Sequence, residues 1–356
     1  MKRISLLTIF VTIPFLSNAQ IDFSEKNKSE YPLFKQMEEK ITNGDYEAIT
    51  SVLIAKNGNL LFEKYFNGAN QNTMHNTRSV TKTMASILTG IAIDKGYIKS
   101  EKDKILDYVE AKLPLKNQDP RKQDISIEDL LTMSSILECD DGNMFSRGNE
   151  ERMYIVEDWL QFFLDLPIRS YPFGPKPEDS PYARIMSYCS AGAAAMAEVI
   201  ESAVKMPLDN FAKENLFDPL DIKDYKLHYN PSKTLNTAGG SEYKSRDFLK
   251  IIQMFLQDGQ WSGKQVLSKE WIAKATTPKV NARENVDYGY LLWIKSFGKE
   301  TKYNAYYMSG NGGQKVLSIP SLDAVVVITT TNYGNRKAHA YTDELMNDYI
   351  VPTLLE

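Results

Sequence analysis

Hydrophobic and polar positions change period along this chain, and the changes mark its elements. Residues 51–56 and 60–66 are β-rich runs either side of Asn57-Gly58, a dipeptide suited to a tight hairpin turn. From Ser79 the period becomes helical, with Met84, Ile87, Leu88, Ile91 and Ala92 on one face and Gly96 placed to end the helix. The stretch 106–234 is irregular and mainly helical, with helices expected near 126–133, 154–166, 191–201 and 207–216 between long loops. Helices follow at 247–256 and 270–275, then strands at 288–294, 303–308, 314–319 and 324–330, and a closing helix at 340–354. Strands at both ends and helices between them predict an α+β fold: one antiparallel sheet assembled from both termini and flanked by helices. The expected division is an α/β part at about 20–105 and 235–356 with a helical lobe, about 106–234, inserted into it. No internal repeat or low-complexity tract interrupts this plan.

Lys2-Arg3, an apolar stretch over 4–16, and Ser17-Asn18-Ala19 before Gln20 read as a secretory signal over residues 1–19. An exported protein, periplasmic or extracellular, is the consequence. No later run approaches the roughly 20 apolar residues of a membrane span. The 356 residues carry a net charge of −4 with lysines scattered rather than clustered, which offers nucleic acid no electrostatic footprint. Cys139 and Cys189 are the two cysteines. An oxidising compartment favours their pairing, and two buried free thiols are the alternative.

Ser79 and Lys82 are the first candidates for chemistry. A serine hydroxyl becomes a nucleophile when a base takes its proton, and residues three apart on a helix face each other. A partly buried lysine amine is pushed toward its neutral form. The pattern S-x-x-K also occurs at Ser202/Lys205, Ser241/Lys244 and Ser296/Lys299, so context selects. Ser79 opens a buried helix, whose first turn presents unpaired N–H groups and a positive dipole end to developing negative charge. Ser202/Lys205 precedes Pro207 at a helix end, Ser296/Lys299 spans Gly298 in a turn, and Ser241/Lys244 follows Gly239-Gly240 as the serious rival.

Two further elements stand in order behind Ser79. Tyr-x-Ser/Asn occurs at Tyr65, Tyr188, Tyr243, Tyr307 and Tyr333, but only Tyr188-Cys189-Ser190 leads into the small-residue run Ala191-Gly192-Ala193-Ala194-Ala195. The third element, Ser309-Gly310-Asn311-Gly312-Gly313-Gln314, places glycines where a backbone can approach a substrate closely. His75, His228 and His339 form no metal-ligand pattern, and no G-x-S-x-G elbow accompanies them. Glu138-Cys139-Asp140-Asp141 reads as an acidic loop beside a disulfide rather than a cation site. Trp159, Tyr171, Phe173, Tyr182 and Trp293 are candidates for an aromatic cleft, with core membership the ordinary reading.

Taken together, the three motifs resemble the serine β-lactamase and penicillin-binding-protein superfamily. The nearest likeness is to its class C-like branch of esterases, D-amino-acid peptidases and nylon-oligomer hydrolases. The resemblance extends to Gly239-Gly240 before Arg246-Asp247, to the stretch from Gly259 to Leu267 and to Tyr288-Gly289-Tyr290. It implies a β-lactamase/transpeptidase-like fold, Ser79 as the acylated nucleophile, Lys82 beside it and Tyr188 as a second proton-transfer group. Ser190 would take a position, more often Asn, that hydrogen-bonds substrate or lysine. Asn311, Gly312 and Gly313 would form the third motif, and the backbone N–H groups of Ser79 and Gln314 the oxyanion hole. Asn311 stands where lactamases carry a cation, which removes a charge-assisted contact of roughly 1.5–3 kcal/mol to a substrate carboxylate. The expectation is a secreted serine hydrolase of a small-molecule ester, amide or peptide-like substrate, with no cofactor and no metal. Alternatives are a true β-lactamase or D-alanyl carboxypeptidase and, from another class, a catalytically silent ligand-binding or sensory module.

Overall fold

The computed structural model describes residues 20–24, 31–169 and 185–356. The secretory signal and three of the cleft candidates, Tyr171, Phe173 and Tyr182, lie outside these residues. Eight strands form the main sheet: β1 (Ile49–Lys56), β2 (Asn59–Tyr65), β3 (Val280–Arg283), β4 (Val286–Tyr288), β5 (Trp293–Phe297), β6 (Tyr303–Gly310), β7 (Gln314–Ile319) and β8 (Ala324–Thr330). Their spatial order is β2-β1-β8-β7-β6-β5-β4-β3, antiparallel throughout. The N-terminal hairpin therefore joins the C-terminal strands through β1 and β8, with Leu53 opposite Val327. Asn57 and Gly58 take left-handed φ of 51° and 72°, as an Asn-Gly hairpin turn requires.

Side chains alternate between the two faces of a strand, and here both faces are covered. Val52, Ile54, Val326 and Ile328 pack under helix α1 (Pro32–Thr42) and the C-terminal helical stretch from Ala338 to Leu354. Leu53, Ala55, Val325 and Val327 enter the larger core with α2 (Lys82–Asp94), α3 (Ser190–Val204) and α4 (Ser245–Leu256). Each such side chain, removed from water, stabilises the fold by about 1.5–3 kcal/mol. Every residue of α2 from Lys82 to Ala92 is buried, because the helix is enclosed between the sheet side and α3. Its position is set by packing on all sides.

One helix adds to the elements expected from sequence, and one expected strand needs correction. The segment before β1 contains α1, whose Phe34, Met37 and Ile41 recur at helical spacing and are buried. The single strand expected over 288–294 is broken between β4 and β5. There Leu291 takes φ 55°, and the N–H groups of Tyr290 and Leu291 donate to Ala275 and Leu131 carbonyls at 3.0 and 2.8 Å. Tertiary carbonyls claim backbone donors that a continuous ladder would have used. Among the described residues, no helix is long and apolar enough to cross a membrane.

Candidate active site

Ser79 lies on a short 3-10 turn, Arg78–Thr81, that leads into α2, and Lys82 is the first residue of that helix. The Lys82 Nζ is 3.0 Å from Ser79 Oγ and 2.5 Å from the Ala238 carbonyl, and the residue is 1% exposed. Ala238 is held in turn: its N–H donates to Asn236 Oδ1 at 2.9 Å, the Thr237 hydroxyl donates to Ala193 O at 2.7 Å, and Gly240 N–H donates to Arg78 O at 3.3 Å. The Gly239-Gly240 pair thus packs against the backbone immediately before Ser79. In the rival pairs the partners point elsewhere. Ser202 donates to Tyr108 O, Lys244 pairs with Asp224, and Ser296 and Lys299 engage Asn304 and Asp348.

The end of β6 closes the other side of Ser79. A Cβ on Gly310 would lie 2.0 Å from Thr77 O and 3.1 Å from Ser79 N, so the two backbones approach to a distance only glycine allows. Asn311 follows at the turn, with its Oδ1 accepting from Gly334 N–H at 2.8 Å. Gly312 and Gly313 take φ of 94° and 85°, and Gly313 backs onto the Ala338 carbonyl. Gln314 departs from expectation. It is fully buried, its side chain is bonded to Thr330 N and O at 2.9 and 2.7 Å, and its backbone pairs with Gly310 in the ladder. The sheet therefore claims Gln314, and the residue reaching Ser79 is Gly310. On the same rim Arg78, at φ 53°, sets its guanidinium 4.2 Å from the centre of the Tyr333 ring.

Tyr188 forms the third wall. Its ring centre is 5.0 Å from Lys82 Nζ, and the ring stacks on Trp293 at 5.7 Å with 22° between planes. A disulfide joins Cys139 and Cys189, and hydrogen bonds stitch the same two segments together. Ser187 Oγ donates to Cys139 O at 2.6 Å, and Asp141 N–H donates to Tyr188 O at 2.8 Å. Ser190 also differs from expectation. Its N–H donates to Asp141 Oδ2 at 2.8 Å and its hydroxyl to Glu150 Oε2 at 3.0 Å. Shorter than asparagine and fully buried at the start of α3, the serine turns toward the acids behind it rather than toward Lys82. Burial pushes the Asp141 carboxyl up to about 6; the Lys82 charge and Ser190 oppose that rise, and Glu150 adds to it.

Beside Tyr188 opens a pocket of about 540 Å³ whose walls include Glu138, Asp140, Met186, Arg283 and Trp293. Trp293 thus faces a cavity, whereas Trp159 is buried against Tyr154 within the helical region. His75 is buried beside Thr50 Oγ1 at 3.2 Å and held neutral, its pKa lowered by burial to about 4. Among the described residues no group of three or more His, Cys, Asp or Glu is placed to hold a metal ion. Asp141, Glu150, Gly310 and the Ala238 carbonyl were not singled out for the site by sequence reasoning. Asp141 was visible only as part of an acidic run.

The model of the beta-lactamase family matches residues 43–349. This chain belongs to the beta-lactamase family. Solved structures of the same fold include a penicillin-binding protein from Bacillus halodurans, 18% identical with TM-score 0.64, the match covering 88% of this chain and 98% of that one. A D-stereospecific amidohydrolase from Streptomyces is 14% identical with TM-score 0.66, covering 88% and 97%. EstCE1, a hydrolase with promiscuous acyltransferase activity, is 13% identical with TM-score 0.67, covering 87% and 97%. No curated protein sequence matches the chain. At these identities the likeness to family members is one of fold, and chemistry has to be argued from the site.

Proposed function

We propose that this beta-lactamase-family protein is an exported serine hydrolase that cleaves an ester or amide through an acyl-enzyme on Ser79. The observation that carries the reading is the buried Lys82 amine, 3.0 Å from Ser79 Oγ and anchored on Ala238 O. Ser79 Oγ attacks the substrate carbonyl as its proton passes to the Lys82–Tyr188 pair. The pair then protonates the leaving group, and water releases the acid by the reverse sequence. Ser79 N–H, in the first turn of a helix and without an intrahelical partner, is one oxyanion donor. The N–H of Asn311 replaces that of Gln314 as the second, because Gly310 is the residue that touches Ser79. The Asn311 side chain is uncharged and engaged by Gly334 N–H, so it offers a substrate carboxylate no fixed cation. Structural relatives described as an amidohydrolase and as a hydrolase with acyltransferase activity support the breadth of acyl chemistry.

The test is intact-protein mass spectrometry of wild type and Ser79→Ala after exposure to a fluorophosphonate, a penicillin and a p-nitrophenyl ester, with hydrolysis followed alongside. A fluorophosphonate adduct lost in Ser79→Ala, together with ester turnover, is the expected result. Rapid penicillin turnover would move the assignment to a true β-lactamase. The absence of any adduct and any turnover would overturn the enzymatic reading in favour of a binding module.

A further inference from the structure

Behind Lys82 and Tyr188 lies a pair of carboxylates that the acyl-enzyme chemistry does not use. Asp141 occupies the centre of a closed set of contacts. Its own N–H donates to Tyr188 O at 2.8 Å, its Oδ2 accepts from Ser190 N–H at 2.8 Å, and its Oδ1 accepts from Glu150 N–H at 3.1 Å. Glu150 in turn accepts from the Ser190 hydroxyl at 3.0 Å. The disulfide, one residue from Tyr188 and two residues from Asp141, ties the two segments together. Such a carboxylate is held in one orientation by its donors, and a charge held in a half-buried place calls for a compensating charge. The compensating charge is Lys82, whose ammonium acts on Asp141 and whose contacts within hydrogen-bonding distance, Ser79 Oγ and Ala238 O, are neutral.

We propose that Asp141 is a positioning residue of the Ser79 centre: its carboxylate fixes the charge of Lys82 while its backbone fixes Tyr188, and Glu150 and Ser190 hold it in place. The proposal rests on the reading of Ser79 and Lys82 as the catalytic pair. Five residues on three segments surround the acid: Lys82 from α2, Glu150 and Tyr154 from the stretch 150–154, and Tyr188 and Ser190 at the entry to α3. With Ser190 turned away, the electrostatic anchoring of the lysine falls to Asp141. Loss of the negative charge leaves the buried Lys82 amine with neutral partners and alters its aim at Ser79. The placement of Asp141 near the middle of the pH range makes this anchoring dependent on pH, weakest when the acid is protonated.

The experiment has two arms with independent readouts. In the first, the 13C resonance of the Asp141 carboxyl, assigned by its loss in Asp141→Asn, is titrated in the full-length mature protein. Its midpoint, near 6 in the wild type, is expected to rise by at least one pH unit in Lys82→Met and to stay in place in Ser79→Ala. An unmoved midpoint in Lys82→Met overturns the proposal whatever the catalytic outcome. In the second arm, the rate of fluorophosphonate labelling at Ser79 is followed from pH 5 to 8. Asp141→Asn keeps the shape of the side chain, and it is expected to label at least tenfold more slowly at pH 7.5 and to lose the inflection near pH 6, with partial recovery in Asp141→Glu. Equal rates and an unchanged inflection overturn the proposal. Failure of the wild type itself to label would instead remove the acyl-enzyme reading, and the titration would still decide whether Asp141 and Lys82 are coupled.

Discussion

Lys82 and Lys315 are buried to the same degree, each 1% exposed, yet their surroundings assign them different work. Lys315, on β7, forms an ion pair with Asp343 at 3.0 Å and bonds to Thr342 Oγ1; Lys295 reaches the same Asp343 at 2.6 Å. Burial lowers the Lys315 amine to about 8. The ion pair binds the C-terminal helix carrying Asp343 to the sheet. Among the described residues, Lys82 has no carboxylate in contact. It meets a hydroxyl and a carbonyl, with the aromatic face of Tyr188 and the charge of Asp141 further out. A buried amine that is fully ion-paired is structural, and one whose neighbours are a hydroxyl and dipoles remains available to give and take a proton.

The sharpest way to break this comparison is to remove each amine with methionine, which has a similar length and no charge. Lys82→Met is expected to lower ester turnover by at least about 100-fold, in line with losing a general acid–base group, with the fold retained. Lys315→Met leaves Asp343 paired with Lys295, and turnover within about threefold of wild type is expected. Similar losses in both variants would show that the nature of the partners does not separate the two equally buried lysines.

A smaller effect is expected from the disulfide, which holds the Tyr188 side of the site while leaving the Lys315 side untouched. The bridge spans 50 residues, and on the chain-entropy model a loop of this length contributes about 4 kcal/mol. Under confirmed reduction, turnover should fall several-fold at temperatures where circular dichroism still reports a folded protein. Unchanged activity in the reduced protein would show that hydrogen bonds alone position Tyr188.

The smallest effect is a slope in stability. The folded-state pKa of Lys315 is depressed to about 8 from the ordinary 10.5, so between these values the unfolded chain binds more protons than the native one. Stability contributed by this group therefore rises as pH increases from 8 to 10.5. Urea midpoints measured across that window should rise less steeply in Lys315→Met than in wild type, whereas Lys82→Met should keep the Lys315 contribution to the slope. An identical slope in wild type and Lys315→Met would show that the Asp343 ion pair offsets burial and leaves the charged form of this lysine undisturbed.

Local features of the chain were the legible ones. The hairpin at Asn57-Gly58, the strand over 314–319 and the strand over 324–330 follow from turn chemistry and β-branched runs, and they coincide with the observed elements. The Ser79/Lys82 pair was legible because both residues lie within one turn. Gln314 was misjudged because the glycine run could be aligned with the site in more than one way, and only the pairing of Gly310 with Gln314 shows which residue meets Ser79. Ser190 was misjudged because its partner Glu150 is 40 residues away in sequence. The break after Tyr288 was hidden because Ala275 and Leu131, whose carbonyls cause it, are remote in sequence.

Sequence by itself determined the fold class, the order of the three motifs and the nucleophile candidate, since each rests on periodicity or spacing carried by neighbouring residues, and the motifs together carried the resemblance to the family. Tertiary structure decided which S-x-x-K pair has its lysine on its serine, which backbone closes on Ser79 and which acid stands behind Lys82. Those relations join residues far apart along the chain, such as Lys82 with Ala238 and Asp141 with Ser190. Burial alters the charge of a group only after such segments have packed, so the electrostatics of the site exist in the folded chain and in no single stretch of it.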